Sequence, residues 1–243
     1  MIQRIIGRID IKNEFVIKGI NFEGLRKIGN PIEIAKKFYD YKLDEIFIYD
    51  AVASLYGRKS LFNIIKKITK EIFIPVCLSG GIRSLKDIEK ALLSGADKVG
   101  LNSAIVKNPK LLKKASKVFG LSNIVATVEA KKKTENYWEI YINNGRDQTG
   151  ISLIDWINKV QDYGCGEIIL SSIDKDGTLK GFDLELLEFL NKRSKIYVPL
   201  IISGGCSSYS DIINLNKKYK NMSCAIASAL HYDKIKKSDF LKR

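Results

Sequence analysis

Two short strings in this chain have the make-up of phosphate sites. Ile74-Pro75-Val76-Cys77-Leu78-Ser79-Gly80-Gly81 returns 124 residues later as Val198-Pro199-Leu200-Ile201-Ile202-Ser203-Gly204-Gly205, with the proline, the serine and both glycines in register. The register continues through Ser84 and Asp87, which match Ser208 and Asp211. An apolar run that ends in Ser-Gly-Gly before a helix exposes backbone N–H groups and adds the helix dipole, a combination suited to anions. Two such turns predict a substrate with two phosphates. Asp10 ends the first apolar run and Glu129 the fifth. A substrate lying between them meets a carboxyl group from each side, as general acid and base catalysis requires. Asp174-Lys175-Asp176-Gly177-Thr178 follows the sixth run and groups short polar side chains around a glycine, a turn that suits sugar hydroxyls. The sole histidine, His231, has no Ser or Cys nucleophile signature beside it and reads as structural.

These residues need a scaffold, and the pattern supplies one. Apolar runs of strand length alternate with amphipathic stretches eight times, the mark of parallel βα units. The predicted strands are about 4–10, 45–50, 74–78, 97–101, 123–128, 167–172, 198–202 and 222–227. The predicted helices are about 31–42, 59–71, 84–94, 108–118, 150–163, 184–192, 207–219 and 232–241. A length of 243 residues fits one α/β fold, a single (β/α)8 TIM barrel over 1–243, with half-barrels of about 1–120 and 121–243. Its active site falls at the carboxyl ends of the strands, with Asp10 and Glu129 opposite one another. Two long loops there, Asn13 to Asn30 and Glu129 to Gly150, are predicted lids or clamps, the second with a hairpin over Trp138–Ile142. At the opposite strand ends Arg4, Glu45, Lys98 and Glu167 predict a ring of charges.

Composition narrows the class. No segment approaches the ~18 continuous apolar residues of a membrane span. The first ten residues carry arginines within their apolar stretch and no cleavage site, so a cytoplasmic protein is expected. Cys77, Cys165, Cys206 and Cys224 lack zinc spacing and disulfide density, and read as reduced thiols in or beside strands. The net charge of +14 is spread over many lysines with no aromatic-interleaved basic run, which favours an anionic substrate or partner over nucleic acid. Neither a metal nor an organic cofactor is called for.

Taken together, Ile9-Asp10-Ile11-Lys12, Lys18-Gly19-Ile20-Asn21-Phe22, Ser79-Gly80-Gly81-Ile82-Arg83, Gly95-Ala96-Asp97-Lys98-Val99 with Asn102-Ser103, Asp174-Lys175-Asp176-Gly177-Thr178 and Ser203-Gly204-Gly205 resemble the cyclase subunit of imidazole glycerol phosphate synthase over nearly the whole chain. The resemblance implies an ammonia-fed cyclisation of the lyase type. A glutaminase subunit would dock at the amino-terminal face, and ammonia would pass a gate of Arg4, Glu45, Lys98 and Glu167. It would then attack the phosphoribulosyl-formimino aminoimidazole carboxamide ribotide. By the same resemblance Asp10 and Glu129 are the acid and base, and Lys18, Asn102, Asp176 and Thr178 contact substrate. Gly80, Gly81 and Ser103 hold one phosphate, and Gly204, Gly205 and Ser228 the other.

Two residues depart from that family. Glu129 stands where it has an aspartate, which displaces the carboxylate by about a bond length, and ~1 Å of misplacement can cost on the order of 100-fold in rate. Arg8 stands where it usually has a small cysteine. Counting by twos from Asp10 puts Arg8 inside the barrel, where it must pair with Asp10 or Glu129 and lower that carboxyl's pKa. Two alternatives therefore stand beside the cyclase: a cyclase-like subunit that delivers ammonia to a surface-sugar amidotransferase, and a scaffold that only docks a glutaminase.

Overall fold

The computed structural model describes residues 4–51, 59–220 and 222–240. In chain order the elements are β1 (Ile5–Lys12), β2 (Phe15–Ile20), β3 (Glu23–Gly29), α1 (Pro31–Asp40), β4 (Glu45–Asp50), α2 (Lys59–Ile68), β5 (Val76–Ser79), α3 (Leu85–Leu93), β6 (Lys98–Leu101), α4 (Ser103–Lys107) and α5 (Lys110–Phe119). The second half supplies β7 (Ile124–Thr134), β8 (Tyr137–Ile142), β9 (Asp147–Ser152), α6 (Leu153–Asp162), β10 (Glu167–Ser172), α7 (Leu184–Arg193), β11 (Leu200–Ser203), α8 (Tyr209–Lys218), β12 (Ser223–Ile226), α9 (Ser228–His231) and α10 (Lys237–Phe240). Strands β1, β4, β5, β6, β7, β10, β11 and β12 pair in parallel in that order, and β12 returns to β1. The closed ring is the predicted eight-stranded barrel.

Each barrel strand is buried on both faces, which is why it reads as a near-continuous apolar run. Ile6, Phe47, Val125, Ile169 and Ile201 fill the interior. Ile9, Ile46, Ile48 and Leu170 turn outward and pack with helix residues such as Phe38, Ile88 and Leu190. The two halves repeat their local chemistry as well as their sequence. Ser84 caps α3 by accepting from the Asp87 N–H, while the Asp87 carboxylate accepts from the Arg83 N–H. Ser208 and Asp211 make a full capping box on α8, with Asp211 also accepting from Ser207. Such caps are worth ~1 kcal/mol each and fix where each helix starts behind its glycine turn.

Several boundaries differ from the sequence reading. Within residues 13–30 β2 and β3 form an antiparallel hairpin, joined to the barrel where Phe15 and Val16 pair with Lys12 and Ile11 at the end of β1. β7 runs past Glu129 to Thr134 and continues through β8 into β9, so the helix expected from 150 begins only at Leu153. The helix expected over 108–118 is split from α4 at Pro109, which cannot donate an N–H. Of the helix expected over 232–241 only the short α10 forms, with α9 lying just before that range, and residue 241 lies outside the described residues. No helix among the described residues is long and apolar enough to cross a membrane.

The two extensions meet over the barrel mouth. Phe22, at the tip of the first hairpin, packs with Tyr141 of β8 and with Ile173. The Asn21 N–H donates to the Asp176 carbonyl at 2.8 Å, which ties the tip to the loop after β10. That approach is possible because Gly177 has no side chain: at its φ of +73° a Cβ would lie 2.1 Å from the Gly19 carbonyl oxygen. Gly177→Ala is expected to cost about 1–3 kcal/mol in chemical denaturation and to speed hydrogen exchange at the Asn21 amide; unchanged stability and exchange would show that the tip is not held there.

Candidate active site

Both Gly-Gly turns open at the carboxyl ends of the strands. Gly80 has φ +97° and Gly204 φ +104°, values that favour glycine, and a Cβ on Gly80 would come within 2.4 Å of the Asp50 carbonyl oxygen. The Ser79 turn borders a cavity of about 650 Å³ walled by Gly80, Gly81, Asn102 and Ser103, with Arg83, Lys107 and Arg146 adding positive charge. The Ser203 turn, with Gly204, Gly205 and Ser228, borders a pocket of about 10 Å³, closed on its other side by Lys18 and Asp176. That is room for roughly one water. Asn102 Nδ2 and Asn144 Oδ1 at the large cavity, and Ser228 Oγ at the small one, are buried without a hydrogen-bond partner. Buried polar groups of this kind are rare unless a ligand or water satisfies them.

Between the two pockets lies a buried charge cluster. Arg8, only 2% exposed, donates from Nε to Asp10 Oδ1 at 2.7 Å and from Nη1 to the hydroxyls of Ser171 and Ser203 at 3.2 Å. Its Nη1 is also 3.6 Å from Asp176 Oδ2. Lys18, carried inward by β2, donates to Asp10 Oδ2 at 3.1 Å and to Asp176 Oδ1 at 2.6 Å. Two cations thus answer two anions, and Phe22 covers the cluster with its ring centre 5.4 Å from the Arg8 guanidinium. Burial pushes the Asp10 carboxyl up, but the Arg8 charge and then the Lys18 charge outweigh it and hold Asp10 at about 2. Asp10 is therefore a carboxylate at every working pH. Of the two partners weighed for Arg8, the structure selects Asp10.

Glu129 has the opposite environment. Its Oε1 accepts from the Tyr49 hydroxyl at 2.8 Å and its Oε2 from the Gly145 N–H at 2.8 Å. Burial raises its pKa above the ordinary carboxylate range, and these two donors, with the Arg8 charge and the nearby Asn102, only partly offset the effect. The Gly145 N–H is aimed by a turn in which Asn143, Asn144 and Gly145 all have positive φ. Asn143 in turn exchanges hydrogen bonds with Ser103, its N–H donating to the Ser103 hydroxyl at 3.0 Å.

At the amino-terminal end, the four expected charges meet as a closed ring. Arg4 reaches Glu45 at 2.9 Å and Glu167 at 3.0 Å, and Lys98 reaches Glu45 at 2.8 Å and Glu167 at 3.1 Å. Burial pushes Glu45 up against the opposing pull of Lys98.

The structure thus gathers Asp10, Lys18 and Asp176 into one cluster, and Gly80, Gly81, Asn102 and Ser103 around one cavity. Gly204, Gly205 and Ser228 meet at the second pocket. Thr178 joins neither: its hydroxyl donates to the Lys175 carbonyl at 2.8 Å. His231 packs its ring 5.5 Å from that of Phe38, and burial pulls it down to about 4, so it is a neutral packing residue. The four cysteines are buried and form no disulfide. Sequence reasoning passed over Tyr49, which counting by twos from Glu45 places inside the barrel, and the Asn143–Arg146 turn, whose Asn-Gly pair is a hairpin signal.

Removing one member of a buried ion pair leaves an uncompensated charge and costs about 3–5 kcal/mol. Arg8→Met is expected to lose that much in urea denaturation at pH 7, with part recovered when Asp10→Asn is added. Because the folded-state pKa of Asp10 is depressed, its contribution is complete above ~3.9 and fades as pH falls through about 2. The gap between wild type and Arg8→Met should therefore persist from pH 7 to 5 and shrink below 4. A loss under about 1 kcal/mol, typical of exposed pairs, would contradict this reading of the cluster.

Residues 4–236 match the family described as "Histidine biosynthesis protein". Curated relatives described as "Imidazole glycerol phosphate synthase subunit HisF" include one from Lactococcus lactis subsp. cremoris (strain SK11), 44% identical over 95% of this chain and 88% of its own length. Another, from Bacillus cereus (strain Q1), is 43% identical over 95% of this chain and 90% of its own. A third, from Legionella pneumophila, is 46% identical over 83% and 94%. With the closed barrel, its paired glycine turns and a match spanning nearly every described residue, the chain belongs to the histidine biosynthesis protein family.

Proposed function

We propose that this chain is the cyclase subunit of imidazole glycerol phosphate synthase. Ammonia made by a glutaminase bound at the amino-terminal face enters past the Arg4, Glu45, Lys98 and Glu167 ring and reaches the formimino ribotide at the other end. Ring closure then releases imidazole glycerol phosphate and the aminoimidazole carboxamide ribotide. The observation that carries this reading is the pairing of a closed charged ring at one end of the barrel axis with anion-ready turns at the other. Neutral ammonia fits a route guarded by ion pairs, since the pairs need only part briefly and no charge has to cross the barrel interior.

In this reading Gly80, Gly81 and Ser103 hold one phosphate, and Gly204, Gly205 and Ser228 the other. Asn102 and Asp176 contact the substrate from the two pockets, and Thr178, which borders neither, holds its own loop in place beside Asp176. Phe22 covers the centre, so a substrate spanning both turns must displace the tip of the first hairpin and widen the second pocket. Asp10, fixed as an anion by Arg8 and Lys18, stabilises positive charge that develops where ammonia adds. Glu129, whose pKa burial raises, is the group better suited of the two to carry a proton.

The Arg8–Asp10 ion pair also favours a second reading. A guanidinium beside Asp10, on the route from the ring to the mouth, suits a subunit that passes ammonia to a separate sugar-modifying enzyme without using Asp10 as an acid. Purified protein supplied with ammonium salt and the formimino ribotide separates the two. The cyclase yields both products; the delivery subunit yields neither and supports nitrogen transfer only when the second enzyme is present. In the complex, Lys98→Ala is expected to lower the ratio of glutamine-driven to ammonium-driven rate about tenfold, equivalent to ~1.4 kcal/mol on the route. Equal loss with both nitrogen sources would make the ring merely structural.

A further inference from the structure

Glu129 is built as an acid or base, yet it does not face the cavity where a substrate would lie. It is 4% exposed, both its oxygens accept hydrogen bonds from the protein, and it is absent from the described residues that wall the 650 Å³ cavity. Tyr49 does wall that cavity, and its hydroxyl donates to Glu129 Oε1 at 2.8 Å. Asp10 offers no other path, because Arg8 and Lys18 occupy its two oxygens and it borders neither pocket among the described residues. Two further carboxylates reach the large cavity. Asp147 is engaged by the Asn143 amide, and Asp50 falls by strand alternation on the side of β4 opposite Tyr49.

We infer that Tyr49 is a catalytic residue, the relay through which Glu129 exchanges protons with the substrate. The inference rests on the cyclase reading. In the base direction, a substrate N–H or O–H bond breaks and its electron pair stays on the substrate. The proton passes to Tyr49 Oη as the phenol's own proton passes to Glu129 Oε1. Tyr49 ends neutral, Glu129 ends protonated, and the acid direction is the reverse.

The surroundings fit such a relay. Arg8 of β1 lies 5.5 Å from the Tyr49 ring centre, and the Phe47 ring lies 6.2 Å away. The charged groups facing the pair are Arg8 and Asp10 from β1, while Asn102, after β6, lies near Glu129. Burial, then the Glu129 charge, holds the phenol above its ordinary range, so it stays a donor at neutral pH. Arg8 and Asp10 oppose one another there, which leaves Glu129 as the group that sets the direction of the Tyr49 O–H.

The test measures ammonium-driven turnover of the formimino ribotide by wild type, Tyr49→Phe, Glu129→Gln and the double variant. The relay predicts that Tyr49→Phe lowers kcat about 100-fold or more with KM changed less than about threefold, and that the double variant is no slower than the slower single, as for residues acting as one unit. An active wild type with Tyr49→Phe within about threefold of it, or with fully additive losses, would overturn the relay alone. A wild type without turnover would remove the cyclase reading and the relay with it. If Tyr49→Phe does not fold, difluorotyrosine placed at position 49 keeps the shape and lowers the phenol pKa. The alkaline limb of kcat should then move to lower pH, and an unmoved limb would overturn the relay.

Discussion

A guanidinium buried inside a β-barrel has to be neutralised where it stands, because an unpaired buried ion costs several kcal/mol. Arg8 meets that demand through Asp10, Asp176, Ser171 and Ser203, three of which come from the other half-barrel. Neutralising Asp10 and Asp176 together takes a second cation, and Lys18 supplies it only because β2 folds back along β1. Docking of the first hairpin, the position of Phe22 and the ionisation of Asp10 all follow from that one charge balance.

The same balance divides labour between the two carboxylates. Asp10 has both cations of the cluster on its oxygens and is fixed as an anion, whereas Glu129 has only neutral donors on its oxygens, which do not outweigh the burial that favours its protonated form. Two acids whose environments push their pKa values apart can take different roles in one reaction. The price of having Arg8 on the axis is a fuller interior: with Phe47 and Tyr49 it occupies the space between the charged ring and the mouth.

Much of this was legible in the sequence. The alternation of runs gave the barrel because parallel strands buried on both faces have a composition that few other elements share. The half-repeat located both glycine turns, since a positive φ at Gly80 and Gly204 leaves a residue-level mark. The charged ring was readable because Arg4, Glu45, Lys98 and Glu167 break apolar strands at their first positions. What escaped was set by tertiary contact. Tyr49 looks like any strand aromatic until Glu129 is found against its hydroxyl. Residues 13–30 look like a glycine-punctuated loop, and the bulges in the β2–β3 register hide their alternation. Thr178 matched a motif, but its hydroxyl is taken up by its own loop. The unequal sizes of the two pockets come from tertiary packing, with Lys18 of the first hairpin lining the smaller one, which local pattern does not encode.

The central claim is that the Arg8, Asp10, Lys18 and Asp176 cluster keeps Asp10 ionised while Glu129 is poised to hold a proton. Carbon-13 NMR of side-chain-labelled aspartate and glutamate carboxyls, titrated from pH 8 downward with Asp10→Asn and Glu129→Gln as assignments, measures this directly. The account predicts that the Asp10 signal stays at its ionised position through the ordinary carboxylate range, while the Glu129 signal moves at a pH above that range. An Asp10 signal that titrates near ~4 or higher, or a Glu129 signal that titrates with the exposed carboxylates, would contradict it.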